Sequence, residues 1–525
     1  MRTLSRRSLL RGAAGLTTLG AGVTLLPASA SARVRVVREQ HRVVVIGSGF
    51  GGGVTALRLA NAGVPVLVLE RGQRWPAGPN SETFPRPTSP DKRMFWLGSA
   101  PSLPGIPSIP FAPYTGLLEQ VPGEGMLTIC AAGVGGGSLV YQGMTLQPSA
   151  ELFQKCFPET LDYAELDRVY YPRVAAMLKL QTAPDELVNS KTYAAARIFA
   201  RNARRAGYAI EKIPMPIDWN FALRELKGEM KPAYTNGDGA LGVNNGGKHS
   251  IDVTYLAAAE ATGRCTVATR HNVTGVARTP SGEWQVSVDH IDADGTVQVK
   301  KILTAKALVM AAGTANTTRL LMRAGAKGDI PDLPDGLGTN WGSNGDRIYT
   351  WTNLADDFGA PQGGPVVYGT KDWSDPATAN TVIQASLPPL PNLRTTMLVG
   401  YGISAGRGKF VYDSAKDDAV LHWPMDADAA LSKRIHTRIS RIAGSLSGLV
   451  DTTAIAANTW HPLGGASMGS VCDLEGRVLG QRGLYVLDGA LMPGTTAACN
   501  PSMTIAAVAE RALDRLVRDD VGRVI

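Results

Sequence analysis

At 525 residues, 44% apolar and 19% charged, the chain describes a soluble globular protein that is too long for one simple core. The formal charge of +8 falls to +4 for a product beginning near Arg33, because Arg2, Arg6, Arg7 and Arg11 lie in a leader without acids. No Lys/Arg block is interleaved with aromatics, and after the N-terminus no stretch is apolar for long enough to span a bilayer, which excludes a nucleic-acid surface and a membrane-spanning segment.

Residues 1–32 read as a twin-arginine export signal. Ser5-Arg6-Arg7-Ser8-Leu9-Leu10 precedes a mildly apolar, Gly-rich run from Gly12 to Leu26, and Ala28-Ser29-Ala30-Ser31-Ala32 offers two overlapping small-x-small cleavage sites. That route moves folded proteins, so a secreted protein with its cofactor already bound is expected; a retained leader would act as a membrane tether. The five cysteines (Cys130, Cys156, Cys265, Cys472, Cys499) are scattered and contain no CxxC pair. No metal site is therefore expected, and folding in the reducing cytoplasm favours small buried thiols over a disulfide.

The stretch from Arg42 to Glu70 organises the rest. Val43-Val44-Val45-Ile46 meets Gly47, Gly49 and Gly52, an apolar-periodic helix follows, and Val66 to Leu69 form a second buried strand that ends in Glu70. This is a βαβ unit whose glycines permit a tight turn, backbone approach to a pyrophosphate and close helix–sheet packing, with the helix N-terminus offering N–H groups to the anion. Ser48 lies inside the turn, and Glu70 is placed to hold a ribose hydroxyl pair. A carboxylate there argues against NADP and leaves FAD and NAD.

Phe95 to Tyr114 is a Pro/Gly-rich, strongly apolar loop, readable as a lid over a hydrophobic substrate or as packing between domains. Gly133-Val134-Gly135-Gly136-Gly137-Ser138 implies backbone close to the dinucleotide. Residues 151–247 become amphipathic and helical. A strand-Gly-helix element returns at Ala307 to Gly313, so the nucleotide-binding domain is assembled from separated pieces: 40–150 carrying the lid loop 95–114, 248–345 and 456–525. A second domain takes 151–247 and 346–455, with strands near Thr395 to Tyr401 and Lys409 to Tyr412 and a helix from about Ala429 to Leu446. Near the C-terminus His461 stands between Trp460 and Pro462, followed by the strand Leu484 to Asp488-Gly489 and by Asn500-Pro501 opening the last helix. That combination suggests a place where imidazole meets a substrate hydroxyl.

On these residues the chain resembles the glucose–methanol–choline oxidoreductases, and within them the flavin-containing cholesterol oxidases. The similarity also runs through Pro90-Asp91-Lys92-Arg93, Asn244-Asn245-Gly246-Gly247-Lys248, Thr254-Tyr255-Leu256-Ala257-Ala258-Ala259 and Phe410-Val411-Tyr412-Asp413. It implies an α/β fold, a Rossmann-like FAD-binding domain interleaved with an α+β substrate-binding domain containing a mixed sheet. It also implies non-covalent FAD, since no histidine lies near the Gly133 loop. Hydride passes from a secondary alcohol carbon, such as a sterol 3β-carbinol, to flavin N5, and O2 is reduced to hydrogen peroxide. His461 would take or share the hydroxyl proton, Asn500 would hold the substrate oxygen or polarise the flavin edge, and the apolar loop becomes a lid. The expected partners are a sterol-like alcohol and O2, with transient membrane-surface contact to collect the sterol, for a protein working as a monomer.

Two departures bear on the substrate, in a region where Met144 is also expected to make contact. Ser386 stands where the resembling enzymes that isomerise the steroid double bond carry glutamate, and neither Asp nor Glu occurs between Asp375 and Asp413. A serine hydroxyl has no accessible basicity near neutral pH, so isomerisation is expected to be weak or absent. Tyr141 replaces the family's asparagine and would narrow the pocket or change oxygen access. Another bulky apolar alcohol, a non-catalytic flavin- or sterol-binding protein and an NAD-linked dehydrogenase stay open as alternatives.

Overall fold

The longest run of buried β-branched residues forms the centre of the first sheet. Arg35–Ile46 is one strand, exposed or half-buried over its first eight residues and buried from Val43 onward. It pairs in parallel with Val66–Leu69 on one side and Val297–Met310 on the other. Cys265–Ala268 extends the parallel part beyond Val66–Leu69, and Leu484–Val486 adds to Val297–Met310. Trp284–Ile291 and His271–Arg278 continue antiparallel at the other edge. Strands buried on both faces need helices above and below. These include α1 (Phe50–Asn61), α2 (Thr314–Ala326) and α3 (Pro501–Asp519), with α1 packed along α3.

The computed structural model describes residues 34–98, 110–239, 241–388 and 392–525, and Arg35–Ile525 form one compact unit. The expected export signal and the middle of the Phe95–Tyr114 loop lie outside the described residues.

A second sheet holds six strands in the order Ser447–Asp451, Arg347–Asn353, Thr395–Gly402, Asn380–Ala385, Tyr368–Asp372, Glu211–Lys212. Every neighbouring pair is antiparallel. Mixed strand directions therefore occur in the first sheet and not in this one. Period-two alternation gives its strands two apolar faces. Tyr349, Trp351, Val382 and Leu398 pack against Leu431, Ile435 and Ile439 of the helix Ala429–Ala443. That helix stops three residues short of the expected Leu446, at Gly444, whose φ of +81° breaks the helical backbone. The opposite face, with Ile348, Ile383, Ala385, Met397 and Val399, looks into a cavity shared with the first sheet.

Candidate active site

The cavity has a volume of ≈ 700 Å³, within the range of small-molecule and cofactor sites. One end is built from the glycine turn after Arg35–Ile46. Gly47 has φ +99°, and a Cβ on it would sit 2.1 Å from the Ala311 carbonyl oxygen; on Gly52 it would sit 2.1 Å from the Gly47 oxygen. Those glycines are required by protein packing, and Gly52 does not itself face the cavity. Gly49, Gly137 and Gly313 differ. All three line the cavity, yet a Cβ on Gly49 would find its nearest neighbour 3.9 Å away, and on Gly137 or Gly313 nothing within 4 Å. The missing side chains leave room for something other than protein.

Three helix N-termini meet in that space. The caps of α1 (Gly49), α2 (Gly313) and α3 (Asn500) all line it, and none accepts a hydrogen bond from its helix through a side chain. The first-turn N–H groups and positive ends of these helices suit a ligand with a pyrophosphate and an electron-rich ring edge. Behind the turn, Glu70 accepts from Ser48 Oγ (2.5 Å), Gly72 N (2.8 Å) and Gly133 N (3.2 Å), and Ser48 Oγ accepts from Gly135 N (3.1 Å). Glu70 and Ser48 reach the cavity while tying the 133–138 loop to the strand end. Gly136 also lines the wall, whereas Gly133 and Ser138 stand behind it. Asp488, beside the cavity-lining Gly489, accepts from Gly313 N (2.9 Å), Thr317 Oγ1 (2.6 Å) and Ala490 N (2.9 Å), and its burial pushes the carboxyl up to about 6.

Part of the lining is apolar, and His461 shares the cavity with it. The imidazole Nδ1 lies 2.7 Å from Asp346 Oδ1, and Asp346 Oδ2 accepts from Thr459 Oγ1 (2.8 Å) and Trp460 N (3.1 Å). The Tyr401 ring meets the imidazole edge-on at 5.7 Å. Among the described residues Nε2 has no hydrogen-bond partner, and the side chain is 20% exposed. Asn500 reaches the same cavity with its carboxamide already engaged. Its Oδ1 accepts from Leu146 N (3.0 Å), and its Nδ2 donates to the Met144 carbonyl and to Ser502 Oγ (2.9 Å). Asn500 thus fastens the segment carrying Met144, which lines the cavity with Tyr141 and Pro501. Lys248 supports this wall from behind, donating to the carbonyls of Leu139 (3.0 Å) and Tyr141 (2.5 Å).

Ser386 requires a correction. It does not line the cavity: its hydroxyl donates to the Gly363 carbonyl, and it continues the parity of Val382 and Gln384, on the far face of the strand. Alternation brings Ile383 and Ala385 inward instead. Asp346 was missed altogether. It is 115 residues from its histidine, and no local pattern joins them.

The GMC oxidoreductase pattern matches residues 113–341 and again 432–509, which together span more than half of the chain. The chain belongs to the GMC oxidoreductases. It is an FAD-dependent alcohol oxidoreductase, and the glycine cradle and helix ends fit that family's cofactor. This GMC oxidoreductase is 27% identical to a cholesterol oxidase of Mycobacterium tuberculosis (strain ATCC 25618 / H37Rv), over 91% of both chains. It is 23% identical to a cholesterol oxidase of Acinetobacter baumannii, over 90% of this chain and 93% of that one. Two solved structures share the fold. A fungal aryl-alcohol oxidase superposes with a TM-score of 0.62 at 15% identity, over 92% of this chain and 100% of that one. Pyridoxine 4-oxidase from "Mesorbium loti" gives 0.60 at 16%, over 90% and 99%.

Proposed function

We propose that the protein is an exported oxidase of a bulky, apolar secondary alcohol, a cholesterol-like 3β-hydroxysteroid, that uses non-covalent FAD and O2 and isomerises the ring double bond slowly or not at all. The observation that carries this reading is a contrast within the cavity lining. Ile348, Ile383, Ala385, Met397 and Val399 form an apolar wall of the same cavity that His461 lines, and among the described residues the imidazole Nε2 has no protein hydrogen bond. An apolar wall selects a greasy body, and a single free ring nitrogen fixes where its hydroxyl must sit. The two cholesterol oxidases among the relatives support a sterol.

Bound FAD supplies a hydride acceptor and passes the electrons to O2, giving peroxide. The protein's part is positional. The apolar wall holds the carbinol carbon, and His461 accepts the hydroxyl proton as the C–H bond breaks. Such a base contributes roughly 10²–10⁴-fold. Asn500 keeps the Met144 segment in place. Ser386, turned outward, cannot carry a proton between ring carbons.

Incubating holoenzyme with cholesterol while following peroxide and conjugated enone separately tests the reading. Peroxide with little enone is expected, and rapid enone formation would refute the isomerisation argument. If cholesterol is inert while another bulky apolar alcohol yields peroxide, the substrate is that alcohol. Denaturation should release FAD into solution; yellow colour staying with the precipitated chain would refute non-covalent binding.

A further inference from the structure

Asp346 is built more carefully than a chance neighbour of His461 would be. Its side chain is 5% exposed, and both oxygens are committed, Oδ1 to the imidazole and Oδ2 to Thr459 Oγ1 and Trp460 N. Arg347, the adjacent cation, is drawn off to Asp451 and does not compete for it. An ionised carboxylate only accepts hydrogen bonds, so the ring nitrogen facing it must carry the hydrogen, and a neutral imidazole then has its lone pair on Nε2.

We propose that Asp346 is the positioning residue of the proton acceptor: it fixes His461 in the Nδ1–H tautomer and balances the imidazolium that forms when Nε2 takes the hydroxyl proton. The inference rests on the alcohol-oxidase reading above. The O–H bond breaks, the Nε2–H bond forms, and the positive charge appears 2.7 Å from a buried carboxylate. That charge pair is absent before the transfer, so the carboxylate favours the reacting state over the resting one. Among the described residues Tyr401 is the titratable side chain in ring contact with the imidazole, and burial raises its hydroxyl well above the usual range, keeping it neutral.

The test compares wild type and Asp346→Asn holoenzyme in two measurements. In the first, anaerobic reduction of bound FAD is timed with cholesterol, or with whichever alcohol of a substrate panel reduces the wild type. The rate should fall roughly 10²–10⁴-fold while apparent alcohol affinity changes less than about threefold. In the second, ¹⁵N-histidine NMR above neutral pH reads the tautomer, the His461 signals among the seven histidines being assigned by their loss in His461→Gln. Wild type should show a lone pair on Nε2, and the variant should lose that preference. Should Asp346→Asn fail to accumulate, Thr459→Val removes one support of Oδ2 and should slow reduction about 10-fold. Reduction at the wild-type rate in the variants, or a wild-type ring carrying its hydrogen on Nε2, overturns the proposal while leaving the oxidase reading intact. A wild type that no alcohol reduces overturns both.

Discussion

His461 has one ring nitrogen committed to protein and one left to the cavity, whereas both ends of the Asn500 carboxamide are spent on backbone or Ser502. The two residues should therefore fail differently. Asn500→Ala strands the buried Leu146 N–H, while the Met144 carbonyl keeps the Ser502 hydroxyl, and should lower unfolding free energy by about 1–3 kcal/mol. Denaturant melts of the apoprotein should show that loss. Among the described residues His461→Gln removes one side-chain hydrogen bond, to Asp346, and the edge-on Tyr401 contact, so its larger effect should be on flavin reduction. Both residues were legible as candidates because an isolated His-Pro and an Asn-Pro helix start carry local signals. Asp346 was not, because a lone aspartate in a Gly-rich turn carries none.

At the scale of elements, the glycine turn and the 133–141 loop separate packing from binding. Gly52→Ala would drive a Cβ to 2.1 Å from the Gly47 oxygen, whereas Gly137→Val points into open space in the cavity. The first should destabilise the protein in thermal melts even without cofactor. The second should leave the apoprotein's melting unchanged and cut the FAD content of purified protein.

Lys248, which pins the Leu139 and Tyr141 carbonyls, is lowered by burial from 10.5 to about 7, with Asp252 opposing that shift. The unfolded chain keeps this proton up to about pH 10.5 and the folded one releases it near 7, so stability from this group is lost as pH falls through 7 and gained as it rises. Unfolding free energy should climb by up to about 1.4 kcal/mol per pH unit between pH 7 and 10, and Lys248→Met should flatten that slope. Equilibrium denaturation at several pH values checks it. The βαβ unit was readable because turn, strand and helix signals agree. The first eight residues of Arg35–Ile46 were not, since they are largely polar and exposed and are held as strand mainly by pairing with residues 299–305, far along the chain. Ser386 was misplaced because the resemblance supplied its position and strand parity decided its direction.

For the whole molecule, residues from both sheets line one cavity, so the glycine turn at residues 47–49 and the histidine at 461 act on a single ligand space although they are far apart in sequence. The strands of the first sheet come from residues 35–69, 265–310 and 484–486, and the buried βα patterns carry its parallel strands, whereas His271–Arg278 has no such signal. Of the six-stranded sheet only Thr395–Gly402 was visible, and Lys409–Asp413 pairs instead in a separate two-stranded sheet; Asn380–Ala385, for one, is buried along its whole length and shows no alternation of polar and apolar residues. The proposed export is tested on the full chain. Changing Arg6 and Arg7 together to Lys should hold active, FAD-loaded enzyme inside the cell, whereas unchanged activity in the medium would exclude the twin-arginine route.

The most direct measurement is anaerobic bleaching of the bound flavin by cholesterol in wild type and in His461→Gln. Wild type should bleach fully, and the variant, still yellow and folded, should do so roughly 10²–10⁴-fold more slowly. Bleaching at equal rates in the two proteins, or a wild type whose flavin no alcohol reduces, would contradict alcohol oxidation at His461.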